Sequence, residues 1–227
     1  MTPAHKCYLL AAALLLAAPA ALAIDVPVAA FAREDRLPGD LRKLLTVSEV
    51  FAHGLGVLLI LATVLVLDPA GRHRVPRVAA CAYLPGALAL LAKQLIPRVR
   101  PAAFDLSQPA WEAFAAPGRS AGELAGYAIE SFPSGHTATA VGLAIGLAWC
   151  YPRGRWLFAL FAFLAAAQRV ESSAHFVSDT FVGAAIACLI AGSCIDPRLC
   201  GKWFSRLEQR RAKRLSASDR AGTLKVE

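Results

Sequence analysis

The sequence predicts an all-α fold, a polytopic membrane helix bundle of about six transmembrane helices, or five if the N-terminal segment is cleaved. Three observations lead there. Hydrophobic residues make up 57% of the 227 positions and mean hydropathy is +0.50, above the roughly 45–50% apolar content of soluble domains. The excess is gathered into long blocks separated by short charged stretches, the distribution a bilayer demands. Lys and Arg are also divided unevenly between alternate connecting segments. The length fits one domain.

The first block covers residues 7–23, behind a short stretch containing Lys6. Ala21-Leu22-Ala23 resembles a signal-peptidase site, so residues 1–24 read either as a signal peptide or as a retained first span. Either reading delivers the next segment to the outer side. Residues 25–47 mix charges with apolar positions, and Leu37, Leu41, Leu44 and Leu45 have helical spacing, which predicts a helix on the outer membrane surface. Further apolar blocks run over 50–67, 78–96, 137–151, 156–167 and 176–195. The 137–151 and 156–167 blocks are separated by the basic turn Pro152-Arg153-Gly154-Arg155. Both are short for a hydrocarbon core about 30 Å thick, and span it only if their helices extend into the polar residues beside them. Gly142-x-x-x-Gly146 permits close helix approach, within one bundle or at a dimer face. Residues 25–195 form the membrane domain. The tail, 196–227, is basic, and beyond about Leu215 it is polar enough to read as disordered.

Orientation follows from the positive charges. With the N-terminus, residues 68–77, residues 152–155 and the tail inside, fifteen of the 24 Lys and Arg face inward. Seven lie outside: Arg33, Arg36, Arg42, Lys43, Arg98, Arg100 and Arg119. The C-terminus is then cytoplasmic, in an inner or plasma membrane. Nine of the 24 are in the tail, so the net charge of +8 suits a membrane surface and not nucleic acid. The six cysteines, Cys7, Cys81, Cys150, Cys188, Cys194 and Cys200, form no C-x-x-C pair and have no His at metal spacing. They read as reduced apolar fillers, which argues against a disulfide framework and against zinc.

Three constellations place costly polar groups at the outer ends of spans, where ionisable residues are functional candidates. In Lys93-Gln-Leu-Ile-Pro-Arg-Val-Arg100-Pro101, Lys93 closes a span, Pro97 ends the helix and Arg100 follows in extended chain. Snorkelling charges would look the same. Pro133-Ser134-Gly135-His136 opens the 137–151 block, offering a hydroxyl, free backbone N–H groups and the positive end of a helix dipole. An ordinary N-cap would also use Ser134. In Arg169-x5-His175-x3-Asp179, the four-residue spacing puts His175 and Asp179 on one helical face, where the carboxylate can hold one ring nitrogen protonated and present the other as a nucleophile. A structural His–Asp pair has the same spacing. The predicted topology puts all three on the outer face, making a phosphate site with its own nucleophile and proton donor. His53 reads as a packed or interfacial residue. Trp111 and Phe114, in the 102–130 connection, suit an interfacial position, anchoring the loop or shaping lipid access.

These ten specified residues resemble the signature of the type 2 phosphatidic acid phosphatase (PAP2) superfamily, which includes vanadium haloperoxidases; the six-block layout extends the likeness over roughly 7–195. The resemblance implies that His175 attacks phosphorus and forms a phosphohistidine, with Asp179 orienting it. It implies that His136 protonates the leaving alkoxide, and that Lys93, Arg100, Ser134, Gly135 and Arg169 bind the phosphoryl oxygens. The pattern usually has Ser before the arginine of the third motif; here Gln168 stands there, putting one supporting hydrogen bond in doubt, although an amide can also donate.

The expected activity is hydrolysis of a lipid phosphate or diphosphate monoester on the non-cytoplasmic face, with no metal or other cofactor. Phosphoryl transfer needs mainly positioning and charge stabilisation, which cations and backbone N–H groups supply. Two alternatives remain: a lipid phosphotransferase using the same intermediate, and a non-catalytic membrane transporter or scaffold. A soluble haloperoxidase does not fit the spans. The sequence does not choose among lipid phosphates and is silent on oligomeric state.

Overall fold

The computed structural model describes residues 1–34, 36–114 and 126–223, as backbone only from residue 213. Eight α-helices and no strand occur among them: α1 (Pro3–Arg33), α2 (Gly39–Ser48), α3 (Gly54–Leu67), α4 (Val75–Leu95), α5 (Gly135–Cys150), α6 (Arg155–Glu171), α7 (Val177–Ile195) and α8 (Gly201–Thr223). Large apolar side chains point outward along the bundle; Leu16, Leu59, Val66, Leu95 and Phe163 are all well exposed. The interior is small-residue packing between helices, the reverse of a soluble protein and the arrangement a lipid solvent favours.

The central helix is α5, which packs against α4, α6 and α7, while α1 lies along α7. Gly142 and Gly146 face α4. A Cβ on Gly142 would fall 1.9 Å from the Cys81 carbonyl oxygen, so the G-x-x-x-G spacing serves packing inside this bundle. Val57, Val78, Ala82, Ala140, Leu143 and Ala165 fill the space between α3, α4, α5 and α6.

Several element boundaries differ from expectation. The first helix continues past Ala23 to Arg33, because Val26, Val28 and Phe31 extend the apolar block beyond Asp25. Residues 25–33 therefore belong to α1, and the surface helix is the shorter α2, whose Leu45 is buried. The block starting at Val50 is not one helix: Glu49–Phe51 forms a 3-10 turn, the chain bends by 69°, and His53 caps α3 by accepting from the Leu55 N–H. Among the described residues, three helical segments are long and apolar enough to cross a membrane, Pro3–Arg33, Arg72–Leu95 and Val177–Ile195, or four if the bent pair counts as one. The six expected spans thus include α5, a shorter apolar helix of 16 residues, and α6 of 17, which carries Gln168, Arg169 and Glu171 in its last turn.

At the opposite end, α8 continues to Thr223 where the composition reads as disordered; no proline interrupts this stretch. Residues 224–227 lie outside the described chain. Arg77, counted in the sequence among loop charges, lies within α4. It is buried, reaches both carboxylate oxygens of Glu208 at 2.8 Å and sits over the Trp149 ring, fastening α8 to the bundle.

Candidate active site

The chain gathers the three motifs at one end of the bundle, where α4 and α6 finish and α5 and α7 begin. Pro97 ends α4, and residues 98–100 run alongside residues 128–131: the Arg98 N–H donates to Ile129, Arg100 to Ala128 and Ser131 to Arg98. Arg33, at the end of α1, donates to the Phe104 carbonyl at 2.7 Å and also to that of Pro101, pinning this loop. Ser134 caps α5, and its own N–H donates to the Asp179 carbonyl at 3.1 Å, joining the second motif to the third. This approach requires Gly183, where a Cβ would lie 2.4 Å from the Ser134 carbonyl oxygen. After α6 the chain turns sharply through Ser173, at φ 54°, and the N–H groups of Ala174 and His175 both donate to the Arg169 carbonyl. That turn folds the third motif onto itself.

Lys93, Arg100, Gly135, His136, Arg169 and His175 line one cavity of about 340 Å³, together with His53, Gly86, Leu90, Tyr127 and Thr139. Lys93 donates to the Glu130 carbonyl at 2.7 Å. Arg100 donates to Tyr127 and Ala174 carbonyls and stacks 3.6 Å over the Tyr127 ring. Both cations are thus held by neutral carbonyls, and among the described residues neither forms an ion pair. Ser134 and Asp179 are fully buried behind the cavity wall. The Ser134 hydroxyl is engaged with Thr137 as the helix cap, so the second motif reaches the cavity wall through Gly135 and His136 at the start of α5.

His175 precedes α7 instead of lying on it, so its nearness to Asp179 does not arise from helical spacing. Phe176 is the N-cap, its N–H donates to Asp179 Oδ2 at 2.8 Å, and His175 Nδ1 lies 3.7 Å from the same oxygen. That is an ion-pair distance, longer than a hydrogen bond, and a small turn of the ring would close it. With Nδ1 toward Asp179, Nε2 is the nitrogen left to the cavity. Burial pushes the His175 imidazole down to about 4, against the opposing pull of the Asp179 carboxylate, so the ring is neutral near pH 7.

Sequence reasoning missed four residues here. Asp179 accepts from the Ser131 hydroxyl at 2.6 Å and from Arg98, which is wholly buried. The other terminal nitrogen of Arg98 reaches Asp25 of α1 at 2.9 Å, and its guanidinium is stacked between Phe114 and Phe176. Phe114 is therefore packed inward, whereas Trp111 is exposed; residues 115–125 lie outside the described chain. Asp25, a lone acid inside an apolar run, was the available signal. Glu49 places Oε1 3.1 Å from Arg169 and 3.6 Å from His136 Nε2. Gln168 is buried and does not line the cavity; its Oε1 accepts from Arg169 Nε at 2.5 Å. In this arrangement Gln168 contacts Arg169 and not the cavity.

The model of the PAP2 superfamily matches residues 76–196, more than half of the chain. No curated protein matches significantly. Two crystal structures share the fold. LpxE of Aquifex aeolicus is 24% identical, with a TM-score of 0.57 over 74% of this chain and 92% of its own. A transmembrane PAP2-type phosphatidylglycerolphosphate phosphatase of Bacillus subtilis is 20% identical, with a TM-score of 0.57 over 84% of this chain and 92% of its own.

Proposed function

The chain belongs to the PAP2 superfamily, and from that premise we propose that it is a metal-independent membrane phosphatase hydrolysing a lipid phosphate through a phosphohistidine on His175. One observation carries the reading: His175, backed by Asp179, shares a single cavity with His136 and the cations Lys93, Arg100 and Arg169.

His175 Nε2 attacks phosphorus while Nδ1–H faces Asp179. The P–O ester bond breaks, and the departing alkoxide takes a proton from His136. Water then attacks the phosphohistidine, the P–N bond breaks, and His136 takes up the water's proton. Ester and water become alcohol and phosphate, with both histidines restored. Lys93, Arg100 and Arg169 neutralise the charge that builds on the equatorial oxygens, and the N–H groups at the start of α5 add the helix dipole. This supplies the charge stabilisation that Mg²⁺ gives in other phosphotransfer sites.

A lipid substrate is supported by the apolar exterior beside the site and by the Bacillus subtilis neighbour, itself a phosphatidylglycerolphosphate phosphatase. The charge asymmetry of the loops supports a site on the non-cytoplasmic face. The test is purified protein in detergent with a panel of lipid phosphates and excess EDTA, following released phosphate. Release that disappears in His175→Ala is expected. Release unchanged in that variant, or restored only by added Mg²⁺, refutes the mechanism. Product that forms only when an acceptor alcohol is present identifies a transferase instead.

A further inference from the structure

We propose that Glu49 sets the substrate class of this site, selecting monophosphate esters over diphosphates; the proposal rests on the phosphatase reading above. Glu49 opens the 3-10 turn Glu49–Phe51 at the bend between α2 and α3, a position fixed because its carbonyl accepts the N–H groups of Ala52 at 2.8 Å and His53 at 2.9 Å. Its carboxylate Oε1 lies 3.1 Å from Arg169 and 3.6 Å from His136 Nε2, with the side chain one-third exposed. The carboxylate therefore reaches from a helix that carries none of the three motifs to the shared edge of the proton donor and one phosphate-binding cation.

Its location decides its consequence. With Nε2 as the donor nitrogen of His136, it must lie beside the oxygen that departs, and the Glu49 carboxylate near it is then on the leaving-group side. Lys93 and Arg100 are instead held by carbonyls of Tyr127, Glu130 and Ala174. When a monoester reacts, the leaving group is an alcohol, uncharged once His136 has protonated it. When a diphosphate reacts, the leaving group is a phosphate monoester carrying at least one negative charge. That charge would depart past the Glu49 carboxylate, and at separations of a few ångströms like charges repel even beside water. The alcohol meets no such penalty and offers a hydroxyl that Glu49 can accept from. Selection thus comes from an element placed against the wrong substrate, as well as from contacts to the right one.

The same carboxylate accounts for an otherwise adverse feature. An acid next to a phosphate-binding arginine lowers the site's net positive charge and opposes phosphate binding in general. Gln168 holds Arg169 through Nε, so the guanidinium is supported on one side by an uncharged oxygen and on the other by a charged one. A neutral partner would be the better support if tight phosphate binding were the only demand. Discrimination at the leaving group gives the charge a use.

The experiment compares two substrates that differ only in phosphate number, the monophosphate and the diphosphate of one saturated prenyl alcohol, with wild type, Glu49→Gln and Glu49→Asp. The readout is the ratio of kcat/KM values, diphosphate over monophosphate, which global loss of active protein does not alter. Glu49→Gln is expected to raise that ratio about tenfold or more, and Glu49→Asp to leave it near the wild-type value. An unchanged ratio in Glu49→Gln, with phosphate still released by the wild type, overturns the role of Glu49. No release by the wild type from either compound, or from any other lipid phosphate, instead refutes the phosphatase reading itself.

Discussion

Arg98 and Asp25, 73 positions apart in sequence, meet at 2.9 Å with neither side chain exposed. Through its other terminal nitrogen the same guanidinium binds Asp179, and the Ser178 hydroxyl donates to Asp25. The N-terminal helix is thereby tied to the carboxylate that faces the His175 imidazole.

A buried pair is weak evidence for stability while intact, but removing one partner strands charge in a dry interior. Arg98→Ala leaves two buried carboxylates and should cost about 3–5 kcal/mol. Thermal unfolding in detergent measures this. Asp25→Asn keeps the shape and leaves Arg98 its bond to Asp179, so it should cost less and preserve most turnover. If Arg98→Ala unfolds at the wild-type temperature, the ion chain does not hold the site together.

What the sequence disclosed and what it hid differ in one physical respect. The motifs at 93–101, 133–136 and 169–179 are local in the chain, so spacing alone marks them, and the helices do bring six of those residues to one cavity. Asp25, Glu49 and Arg98 act on partners far away in sequence, and each had a plausible local role: interface charge, span flank, snorkelling cation. Only the packing of α1 on α7, and of the Glu49 turn on α6, gives them others. The His175–Asp179 pair is the reverse case: helical spacing suggested it, and the two lie 3.7 Å apart although His175 is outside the helix on which that spacing was read.

The proposed orientation is tested by single cysteines at Ser107 and Trp111, exposed positions in the described part of the 102–130 connection, in a background with the six native cysteines removed. A membrane-impermeant maleimide should label both in intact cells. A C-terminal reporter active only in the cytoplasm should work. Labelling confined to permeabilised cells would place the site on the inner face and move the substrate to the inner leaflet.

The pH dependence should carry the mark of a buried nucleophile. His175 attacks only as the neutral imidazole, and burial pushes its pKa down to about 4. As pH falls from 8 to 5 the ring stays neutral, so activity that depends on it is retained and is lost only as pH drops through about 4. An unperturbed histidine, near 6.5, would begin losing it around neutrality. The profile of kcat/KM, corrected for the substrate's own ionisation, reports the free enzyme. An acid limb near 6.5 that coincides with the NMR titration of the His175 ring would contradict this.

Arg169 is expected to grip the transferring phosphoryl group more tightly in the transition state than in the ground state. Its guanidinium is a planar fork held in place: Nε binds Gln168, one terminal nitrogen binds Glu49, and the residue lines the cavity. Lysine would retain the charge and lose both the fork and those two supports at once. Arg169→Lys should therefore lower kcat by more than it raises KM. Loss of one such donor commonly costs on the order of 3 kcal/mol, about a hundredfold in rate. Gln168→Ser shortens the side chain that holds Nε while leaving the arginine intact, so it should produce a smaller loss in the same direction, mainly in kcat. If Arg169→Lys raises KM with kcat unchanged, the arginine binds ground and transition states equally, and its role is affinity alone.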